Sequence, residues 1–465
     1  MFLGADTVWK LKKAVKLPFL DFTPLAERER TARRELELNA PHAPGLYRDV
    51  VAVTRSDAGL ALGGEGEVVD WVLRMAPVPP DDFLDHRADR LDGPLLDRIA
   101  DAVAAMHARL PPLARDQVAG FDWLAAGNRV SALTAGLDAE RVAAWHATIQ
   151  ARIAGLAGWL RARAAAGFVR RIHGDLHLGN ICLWQGRPVP FDALEFDEAM
   201  ATFDTGYDLA FLLMDLDQRA GRPAVNRVMN RYLARTGDVG LLGGLPAFLS
   251  MRAMVRAHVA ARSEDGVGAL RYLAAAEAYL VPHGPVVLAI GGLQGTGKST
   301  LARRLAPELG PAPGAAILRS DEIRKALHGA APEERLPPSA YTAEVSREVF
   351  ATLARQAATA ASSGHAVIAD GMFFDPAQRA AIASAAFAGA AGGVPFHGFW
   401  LTAPMAELEA RVAARRDDAS DAGVAVLRRA ARDDPGPGGW HLIHAGDADD
   451  PVAQVRLIMR HNNTI

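Results

Sequence analysis

The sequence predicts a multidomain protein in which an α+β region precedes a three-layer α/β region with a parallel sheet. The chain has 465 residues, of which 50% are hydrophobic and 23% are charged, and this composition is typical of a folded protein with several domains. Strand patterns come first, helical patterns follow, and short apolar strands then alternate with helices. We therefore expect a small strand-bearing lobe over residues 1–80, a helical lobe over 81–280 and an α/β domain over 285–465.

The small lobe and the helical lobe are predicted from their hydrophobic periodicity. Three early segments have the composition of strands: Thr7–Lys12, Val50–Thr54 and Val68–Leu73. Two later segments place apolar residues at helical spacing: Leu95–Met106 and Val142–Ile149. The run Pro77–Pro80 lies between the two patterns, which favours a hinge region there.

The α/β domain is predicted from a change of pattern near residue 284. A helical pattern ends at Leu280, and the helix-breaking run Val281–Pro285 follows it. Short apolar segments then recur between helical ones, as expected for the buried strands of a doubly wound parallel sheet. These segments are Val286–Ile290, Ala315–Arg319, Ala366–Ala369, Phe396–Leu401 and Trp440–Ile443.

Charge and cysteine content argue against several classes of function. The chain has 51 basic and 54 acidic side chains, a net charge of −3, so no overall basic field attracts nucleic acid or an anionic membrane. The single cysteine, Cys182, excludes an internal disulfide and a multi-cysteine metal site. No apolar run approaches the ~18 residues of a membrane span, and the first residues lack the pattern of a signal peptide. We expect a cytoplasmic protein without a nucleic-acid or membrane partner.

The first catalytic motif is the segment His173–Asn180, which reads H-G-D-L-H-L-G-N. It has the same interval between Asp and Asn as the H-R-D-L-x-x-x-N catalytic loop of protein kinases. That interval lets Asp175 face an acceptor hydroxyl while Asn180 reaches a metal ion on the phosphates. Asp192 follows a short strand pattern and supplies a carboxylate oxygen of the kind that Mg²⁺ prefers. The less specific interpretation is that the histidines belong to the core and Asp175 to a turn.

These residues resemble the aminoglycoside phosphotransferase and choline kinase family, whose signature is H-G-D-x-H-x-x-N. The resemblance implies a protein-kinase-like fold over about residues 1–260, with Asp175 as the catalytic base and with Asn180 and Asp192 as Mg²⁺ ligands. It also implies that the aspartate of the segment Tyr207–Ala210 braces the catalytic loop.

The resemblance further implies that a lysine of the first strand pairs with a glutamate of the next helix and binds the nucleotide. Lys12 and Glu35 are the candidates, and Lys10, Lys13 and Glu37 compete with them. In this fold a glycine-rich loop covers the phosphates ahead of that lysine, and the segment Met1–Val8 is too short to contain it. We therefore expect a truncated small lobe that binds nucleotide weakly.

The second motif is the segment Gly292–Ser299, which matches the P-loop pattern G-x-x-x-x-G-K-[ST]. This P-loop lies between a predicted strand and a predicted helix. Its glycines allow backbone amides to surround a phosphate, and the helix N-terminus adds partial positive charge. The lysine neutralises the β- and γ-phosphates, and the serine binds Mg²⁺. The candidate ATP-binding residues are Gly292, Gln294, Gly295, Thr296, Gly297, Lys298, Ser299 and Thr300.

Later segments supply candidates for the chemistry. Asp321 follows the second strand of the α/β domain, where a carboxylate can accept a proton from an acceptor hydroxyl, although Asp is also a common helix cap. Asp370 ends the third strand, as in a Walker B segment, and is a candidate to hold Mg²⁺ through water. Arg411 and Arg415 share one helix face and can stabilise charge on the triphosphate. Arg416 competes with Arg415, and the alternative for Arg411 and Arg415 is that they are ordinary surface arginines.

Together these residues resemble the P-loop kinases related to gluconate kinase, zeta-type toxins and polynucleotide kinase, over about residues 285–450. That resemblance implies that Asp321 is the catalytic base, that Arg324 binds the acceptor and that a lid supplies arginines. The whole chain resembles a bacterial two-module family in which an aminoglycoside phosphotransferase-like domain precedes a P-loop ATP-binding domain, also described as an AAA-family ATPase. The P-loop region is short and lacks a following helical lid domain, which argues against a ring-forming motor.

The expected function is ATP-dependent phosphoryl transfer to a hydroxyl of a small molecule, with ATP and Mg²⁺ as cofactors. The alternative is a nucleotide-gated binding or regulatory protein, in which the N-terminal region is a catalytically weak, pseudokinase-like sensor and the P-loop domain is an ATPase switch. The identity of the acceptor stays open, because a fold does not fix its substrate. The oligomeric state is open as well.

Overall fold

The computed structural model describes residues 1–17, 20–387, 393–414 and 419–462, and the chain divides into two compact units. Unit 1 comprises residues 1–220 and 251–276, and unit 2 comprises residues 221–250 and 277–465. The segment 221–250, which the sequence pattern places in the helical lobe, therefore belongs to the unit that contains the P-loop. Among the described residues, no helix is both long enough and apolar enough to cross a membrane.

Unit 1 begins with a five-stranded antiparallel sheet in the order β1-β2-β7-β5-β6. Helix α1 packs on β5 and β7, and Val8, Leu46 and Leu73 are among the residues of the small core beside them. Strand β1 has two residues, both exposed, and the sequence patterns did not predict it. The elements are β1 (Phe2–Leu3), β2 (Val8–Leu11), β3 (Lys16–Leu17), β4 (Leu20–Asp21), α1 (Leu25–Asn39), β5 (Tyr47–Ser56), β6 (Gly59–Leu62) and β7 (Glu67–Met75).

The next part of unit 1 is mainly helical and carries two short strand pairs. Helix α2 begins after Asp92, whose carboxylate accepts a hydrogen bond from the Leu95 amide at 2.8 Å. The pairs β8–β11 and β9–β10 flank the segment 173–180, and Asp192 follows β10 directly after Phe191. The elements are α2 (Gly93–Arg109), α3 (Val118–Thr134), α4 (Ala139–Ala165), β8 (Val169–Arg171), β9 (Ile181–Trp184), β10 (Arg187–Pro190), β11 (Thr202–Asp204) and α5 (Thr205–Arg219).

Three helices that follow in the chain are divided between the two units. Helix α6 (Arg222–Thr236) belongs to unit 2. Helix α7 (Leu245–Arg262) belongs to unit 2 as far as Ser250 and to unit 1 from Met251 onwards. Helix α8 (Gly266–Ala278) begins in unit 1.

Unit 2 is built on a five-stranded sheet in the order β13-β14-β12-β15-β16, in which every neighbouring pair is parallel. The five predicted strands and the doubly wound parallel sheet are confirmed. Leu288, Ile290 and Phe399 are buried in its core, as the continuous apolar strands require. The elements are β12 (Val287–Gly292), α9 (Lys298–Leu305), β13 (Ala316–Arg319), α10 (Ser320–Leu327), α11 (Ala343–Ser362), β14 (Val367–Asp370), α12 (Pro376–Ala385), β15 (Phe396–Thr402), α13 (Met405–Ala414), α14 (Val424–Ala430), β16 (His441–His444) and α15 (Pro451–His461).

The strand order brings three functional segments to one edge of this sheet. The chain leaves β12 toward β13 and β14 on one side and later toward β15 and β16 on the other, so the direction of winding reverses beside β12. Ligands of doubly wound sheets bind at the carboxyl ends of the strands near such a reversal. The P-loop follows β12, Asp321 follows β13 and Asp370 ends β14.

Helix α6 is tied to the outer edge of the same sheet by two asparagines. The Asn226 side chain donates hydrogen bonds to the Pro313 and Ala315 carbonyl oxygens, both at 3.0 Å. The Asn230 amide oxygen accepts a hydrogen bond from the Ile317 backbone N–H at 2.6 Å. These bonds satisfy backbone groups of the edge strand β13 and of the residues that lead into it, on the side where no further strand pairs within the described sheet. They account for the membership of 221–250 in unit 2.

His365 predicts a pH dependence of the stability of unit 2. Its ring is 1% exposed, neither ring nitrogen has a hydrogen-bond partner within the described residues, and burial lowers its pKa from 6.5 to about 4. The unfolded chain therefore binds a proton that the folded chain excludes, and stability falls as the pH drops from about 6.5 toward 4, by about 3 kcal/mol in total. His365→Leu should flatten this slope, measured as the unfolding midpoint at pH 7 and pH 5. Exposed His461→Leu is the control, and equal slopes for both variants would contradict the prediction.

Candidate active site

The P-loop of unit 2 has a backbone that glycine alone accommodates. Gly295 has a φ of +82°, and a Cβ atom there would lie 2.8 Å from the Leu408 carbonyl oxygen. Gly292, with a φ of +126°, would place its Cβ atom 2.4 Å from the Leu401 carbonyl oxygen. A side chain at either position would displace backbone of β15 or α13. The loop can therefore keep the tight curvature that turns backbone N–H groups toward a phosphate.

The side chains of the P-loop are held in place by the loop itself. The Lys298 ammonium donates hydrogen bonds to the Gly292 carbonyl oxygen at 3.0 Å and to the Leu293 carbonyl oxygen at 2.8 Å. The Thr296 hydroxyl, which is buried, donates to the Leu293 carbonyl oxygen at 2.8 Å. Carbonyl oxygens are weaker partners for an ammonium group than phosphate oxygens, so Lys298 is positioned to exchange them for a bound triphosphate.

Oxygen atoms of the type that Mg²⁺ prefers meet where β12 and β14 end. The Ser299 hydroxyl donates a hydrogen bond to Asp370 Oδ2 at 2.5 Å. Arg319 Nε lies 3.4 Å from the same carboxylate oxygen, and an Arg319 Nη atom donates to Glu322 Oε1 at 3.0 Å. A hydroxyl and a carboxylate beside a phosphate-binding loop fit the ligand set of Mg²⁺, which usually keeps several waters.

Asp321 and Arg324 lie on the first turns of α10. The helix begins at Ser320 and its N-cap is Arg319, without a side-chain capping bond, so Asp321 does not have the capping role that its position in the sequence left open. Burial raises the pKa of Asp321, and the charges of Arg319 and Lys298 oppose that rise. A carboxyl group with a raised pKa is closer to the range in which a general base operates near neutral pH.

Arg324 is a buried cation whose hydrogen-bond acceptors are neutral. Its Nη atoms donate to the Ala340 carbonyl oxygen at 2.7 Å and to the Ser346 hydroxyl at 3.3 Å, and its guanidinium lies 5.0 Å from the centre of the Tyr341 ring. Within the described residues Nε has no hydrogen-bond partner. Burial lowers the pKa of Arg324, which reflects the cost of keeping this charge away from water.

One cavity of about 1090 Å³ joins these groups. Its volume is that of a site for a drug-sized or larger ligand. Gly292 and Thr296 hold the shape of the loop, and the other predicted residues of unit 2 that the structure describes lie on the cavity wall: Gln294, Gly295, Gly297, Lys298, Ser299, Thr300, Asp321, Arg324, Asp370 and Arg411.

Arg411 lines the cavity but is held by several partners. It donates to the Ala445 carbonyl oxygen at 2.8 Å, and its guanidinium contacts Glu407 at 3.1 Å and Asp447 at 2.5 Å. It also lies 3.4 Å from the Gly295 carbonyl oxygen of the P-loop. The structure thus shows Arg411 as a fixed part of the wall beside the P-loop. The predicted Arg415, and the competing Arg416, lie outside the described residues.

A cluster of residues around Asp421, which lines the cavity, was not predicted from the sequence. Lys325 is buried and its ammonium bonds both carboxylate oxygens of Asp421, at 2.9 and 2.8 Å. Asp421 also accepts hydrogen bonds from the Tyr341 hydroxyl and from the Leu336 backbone N–H. No local pattern signals this cluster, because its members are far apart in the chain. A lysine on the buried side of an amphipathic helix was the one available hint.

In unit 1 the backbone of the segment 173–180 is braced by a buried aspartate. Asp208 accepts hydrogen bonds from the backbone N–H groups of His173 at 2.8 Å and Gly174 at 2.9 Å. The Asn180 side chain donates to Asp175 Oδ2 at 2.9 Å. Burial would raise the pKa of Asp175, but hydrogen bonding to His177 and nearby positive charges outweigh it and lower the pKa to about 2. Asp175 therefore stays ionised at neutral pH.

Lys10 in β2 and Lys12 just after that strand share one buried glutamate. Lys10 Nζ bonds Glu35 Oε1 at 2.8 Å and also Asp192, and Lys12 Nζ bonds Glu35 Oε2 at 2.6 Å and also Glu195. The predicted pair of Lys12 and Glu35 is present, and the competing Lys10 occupies an equivalent place beside Asp192. Glu195 had no sequence signal of its own. The side chains at positions 13 and 37, which also competed for these roles, are exposed.

Asp192 has an unusual backbone conformation. Its φ is +61°, a left-handed conformation that is uncommon for non-glycine residues and that Asp adopts more readily than most, and its N–H donates to the Tyr47 hydroxyl at 2.9 Å. Burial raises the pKa of Asp192, and the charge of Lys10 overcomes this and lowers it. The carboxylate is thus kept ionised, as a metal ligand requires, while it is bound to Lys10.

The fold and the cavity define unit 2 as a P-loop nucleotide-binding domain. A family model described as an AAA domain matches residues 287–433, which include the P-loop, Asp321 and Asp370. Uncharacterized proteins of Mycobacterium tuberculosis and Mycobacterium bovis are 29% identical to this chain over 478 residues, which cover 98% of this chain and 93% of each relative.

Solved structures of kinases are also similar to this chain. The GDP complex of an aminoglycoside 2'-phosphotransferase is 14% identical with a TM-score of 0.35, covering 60% of this chain and 87% of that one. A sugar kinase from Janibacter is 16% identical with a TM-score of 0.30, covering 39% of this chain and 96% of that one. A gluconokinase from Sinorhizobium meliloti is 17% identical with a TM-score of 0.27, covering 39% and 98%.

Glu35 should contribute strongly to the stability of unit 1. Its side chain is 0% exposed, and it is the carboxylate shared by the ammonium groups of Lys10 and Lys12. Glu35→Gln leaves these buried cations undercompensated, which should lower the free energy of unfolding by about 3 kcal/mol. Hydrogen exchange of α1 measures the loss. The control is Glu37→Gln, whose side chain is 68% exposed and pairs with Arg34, and an equally small loss in both variants would refute the prediction.

Proposed function

We propose that the protein is an ATP-dependent phosphotransferase whose unit 2 transfers a phosphoryl group to a hydroxyl of a small molecule. The observation that carries the proposal is the composition of the P-loop cavity. Lys298, Ser299 and Asp370 would suffice for a nucleotide switch. The same cavity also holds a half-buried carboxyl group, Asp321, and a buried guanidinium, Arg324, whose Nε has no hydrogen-bond partner within the described residues. A second substrate gives both of these groups a role.

Each residue has a role that its position allows. The P-loop amides and Lys298 hold the phosphates of ATP, and Ser299 and Asp370 would hold Mg²⁺, which neutralises charge on the phosphate oxygens. The oxygen of the acceptor hydroxyl bonds to the γ-phosphorus, and the bond between that phosphorus and the oxygen of the departing ADP breaks. Asp321 accepts the proton that the acceptor hydroxyl loses. Arg324 binds the acceptor and fixes the direction of that hydroxyl. Arg411 keeps the wall beside the P-loop in place.

Unit 1 has a kinase-like catalytic loop, and its contribution is a separate part of the proposal. Asp175, Asn180 and Asp192 are candidates for a second phosphotransfer site. One observation favours the competing role of unit 1, which is that of a weakly catalytic sensor in a nucleotide-gated protein. Lys10 forms an ion pair with Asp192, the predicted metal ligand. We place the protein in the cytoplasm, where ATP and Mg²⁺ are available, and propose a small-molecule alcohol as its partner.

A screen of hydroxyl compounds for acceptor-dependent conversion of ATP to ADP tests the proposal. The full chain is assayed with and without each compound, beside the Asp321→Asn variant. Turnover that depends on an alcohol and on Asp321 supports a kinase. Nucleotide binding with no acceptor-dependent turnover across the screen would favour the nucleotide-gated regulator.

Lys298→Ala should remove most nucleotide binding and turnover by unit 2. The preformed nest of amides would then hold the triphosphate without its main counter-charge, and loss of such a contact lowers the rate by about 10²–10³. Isothermal titration with MgATP and a turnover assay give the two measurements. Arg304→Ala, on the exposed side of the same helix, is the matched control. Wild-type affinity together with wild-type turnover in Lys298→Ala would contradict the assignment.

Asp321→Asn should preserve MgATP affinity and lower acceptor phosphorylation by about 10²–10⁴, because Asn keeps the shape of the side chain but cannot accept the proton. The raised pKa of Asp321 gives a further expectation. A base works only when ionised, so activity should fall with decreasing pH at a higher pH than for an ordinary aspartate, and Asp321→Asn should lack this limb. A variant with full turnover would show that Asp321 serves only the fold.

A further inference from the structure

Helix α6 reaches the loop that closes the acceptor side of the P-loop cavity. Arg231 bonds Glu333 Oε1 at 2.6 Å, and Arg235 bonds Glu333 Oε2 at 3.1 Å. Glu333 lies in the segment 331–337, which connects α10 to the part of the chain that leads into α11. Two residues later in that segment, Arg335 and then Leu336 lie on the cavity wall.

We propose that α6 is a positioning element of the acceptor site: Arg231 and Arg235 hold Glu333, and this fixes the loop 331–337 that presents Arg335 and Leu336 to the cavity. The acceptor part of this inference rests on the proposed function. The inference that α6 fixes the position of the loop 331–337 does not rest on the proposed function. Neither arginine lines the cavity, so both act through Glu333 and are positioning residues.

The loop is held from its other side as well. The Lys325 ammonium donates to the Glu334 carbonyl oxygen, and the Leu336 N–H donates to Asp421 Oδ2 at 3.1 Å. Anchors at Glu333, Glu334 and Leu336 therefore fix a segment that has no helix or strand of its own. Of these anchors, the one at Glu333 depends on a helix that precedes the P-loop by about sixty residues.

The same helix also sets the position of the candidate base. Asn230 bonds the Ile317 N–H in β13, and Ser320 and Asp321 follow directly after that strand. A helix that contacts both β13 and the loop 331–337 fixes two parts of the cavity wall relative to each other. Arg324, between them on α10, is the proposed contact for the acceptor.

Three full-length variants test the proposal. The double variant Arg231→Gln/Arg235→Gln removes both ion pairs, and Arg231→Lys/Arg235→Lys keeps the charges as the conservative variant. Arg456→Gln is the matched control, because it removes another arginine–glutamate pair of unit 2, with Glu308, in which neither residue lines the cavity. The first measurement is the rate of tryptic cleavage at the Arg335–Leu336 bond, identified by mass spectrometry. The second is the Michaelis constant for the acceptor found in the screen, beside that for MgATP.

In the double Gln variant we expect cleavage at Arg335 to rise about tenfold, since two partly buried ion pairs that oppose opening of the loop are lost. The acceptor KM should rise by a similar factor, while the MgATP KM and dissociation constant stay within about twofold. The Lys variant should recover most of both effects, and the control should show neither.

Equal rates of cleavage at Arg335 in the double Gln variant and in Arg456→Gln would overturn the proposal. Increases of the acceptor KM and the MgATP KM by the same factor in the double Gln variant would also overturn it. If no acceptor is found, the proposed function fails, and the cleavage rates still decide whether α6 holds the loop.

Discussion

The parallel register of β13, β14 and β12 fixes the polar groups of the P-loop cavity. Asp370 is the register partner of both Ile290 in β12 and Arg319 in β13, so β13 and β14 end at the same level and β12 continues beyond it to Gly292, into the P-loop. Successive side chains of a strand point to opposite faces, and a shift of one residue would turn Asp370 away from Ser299. The short contact between the Ser299 hydroxyl and Asp370 is thus a consequence of strand pairing. The same register places Asp321 just beyond Arg319, on the first turn of α10.

The charge of Arg324 in unit 2 is compensated differently from the charges of Lys10 and Lys12 in unit 1. In unit 1 the ammonium groups of Lys10 and Lys12 are each bound to two carboxylates, so the desolvated charges compensate one another. In unit 2 the Arg324 guanidinium donates its hydrogen bonds to a carbonyl oxygen and a hydroxyl, both neutral. A desolvated cation held by neutral groups is costly in the free protein and is relieved by a ligand that brings hydrogen-bond acceptors. This contrast is the physical reason for placing the chemistry of the proposal in unit 2.

The sequence predicts what local patterns determine. The P-loop, the segment 173–180, Asp192 and the strand ends that carry Asp321 and Asp370 were all found from spacing and from position after apolar strands. Long-range pairing could not be found in this way. Lys10 lies on β2 and Lys12 directly follows that strand, and their roles depend on carboxylates more than 180 positions away in the chain. The anchor formed by Lys325 and Asp421 joins residues 96 positions apart, and no spacing rule connects them.

The membership of α6 in unit 2 illustrates how a sequence boundary and a structural boundary can differ. The helix-breaking run near residue 284 correctly predicts where the first strand of the parallel sheet begins. The edge strand β13 nevertheless presents an N–H group at Ile317 to the helix beside it, and Ala315, directly before the strand, presents a carbonyl oxygen. Asparagine presents a donor and an acceptor on one short side chain, whereas aspartate or lysine would satisfy only one kind of group. Two asparagines one turn apart are uncommon in the interior of a helix, because asparagine favours competing local hydrogen bonds. Asn226 and Asn230 were therefore the available sign that this helix serves a backbone edge, and division of the chain at residue 284 would separate β13 from the groups that complete it.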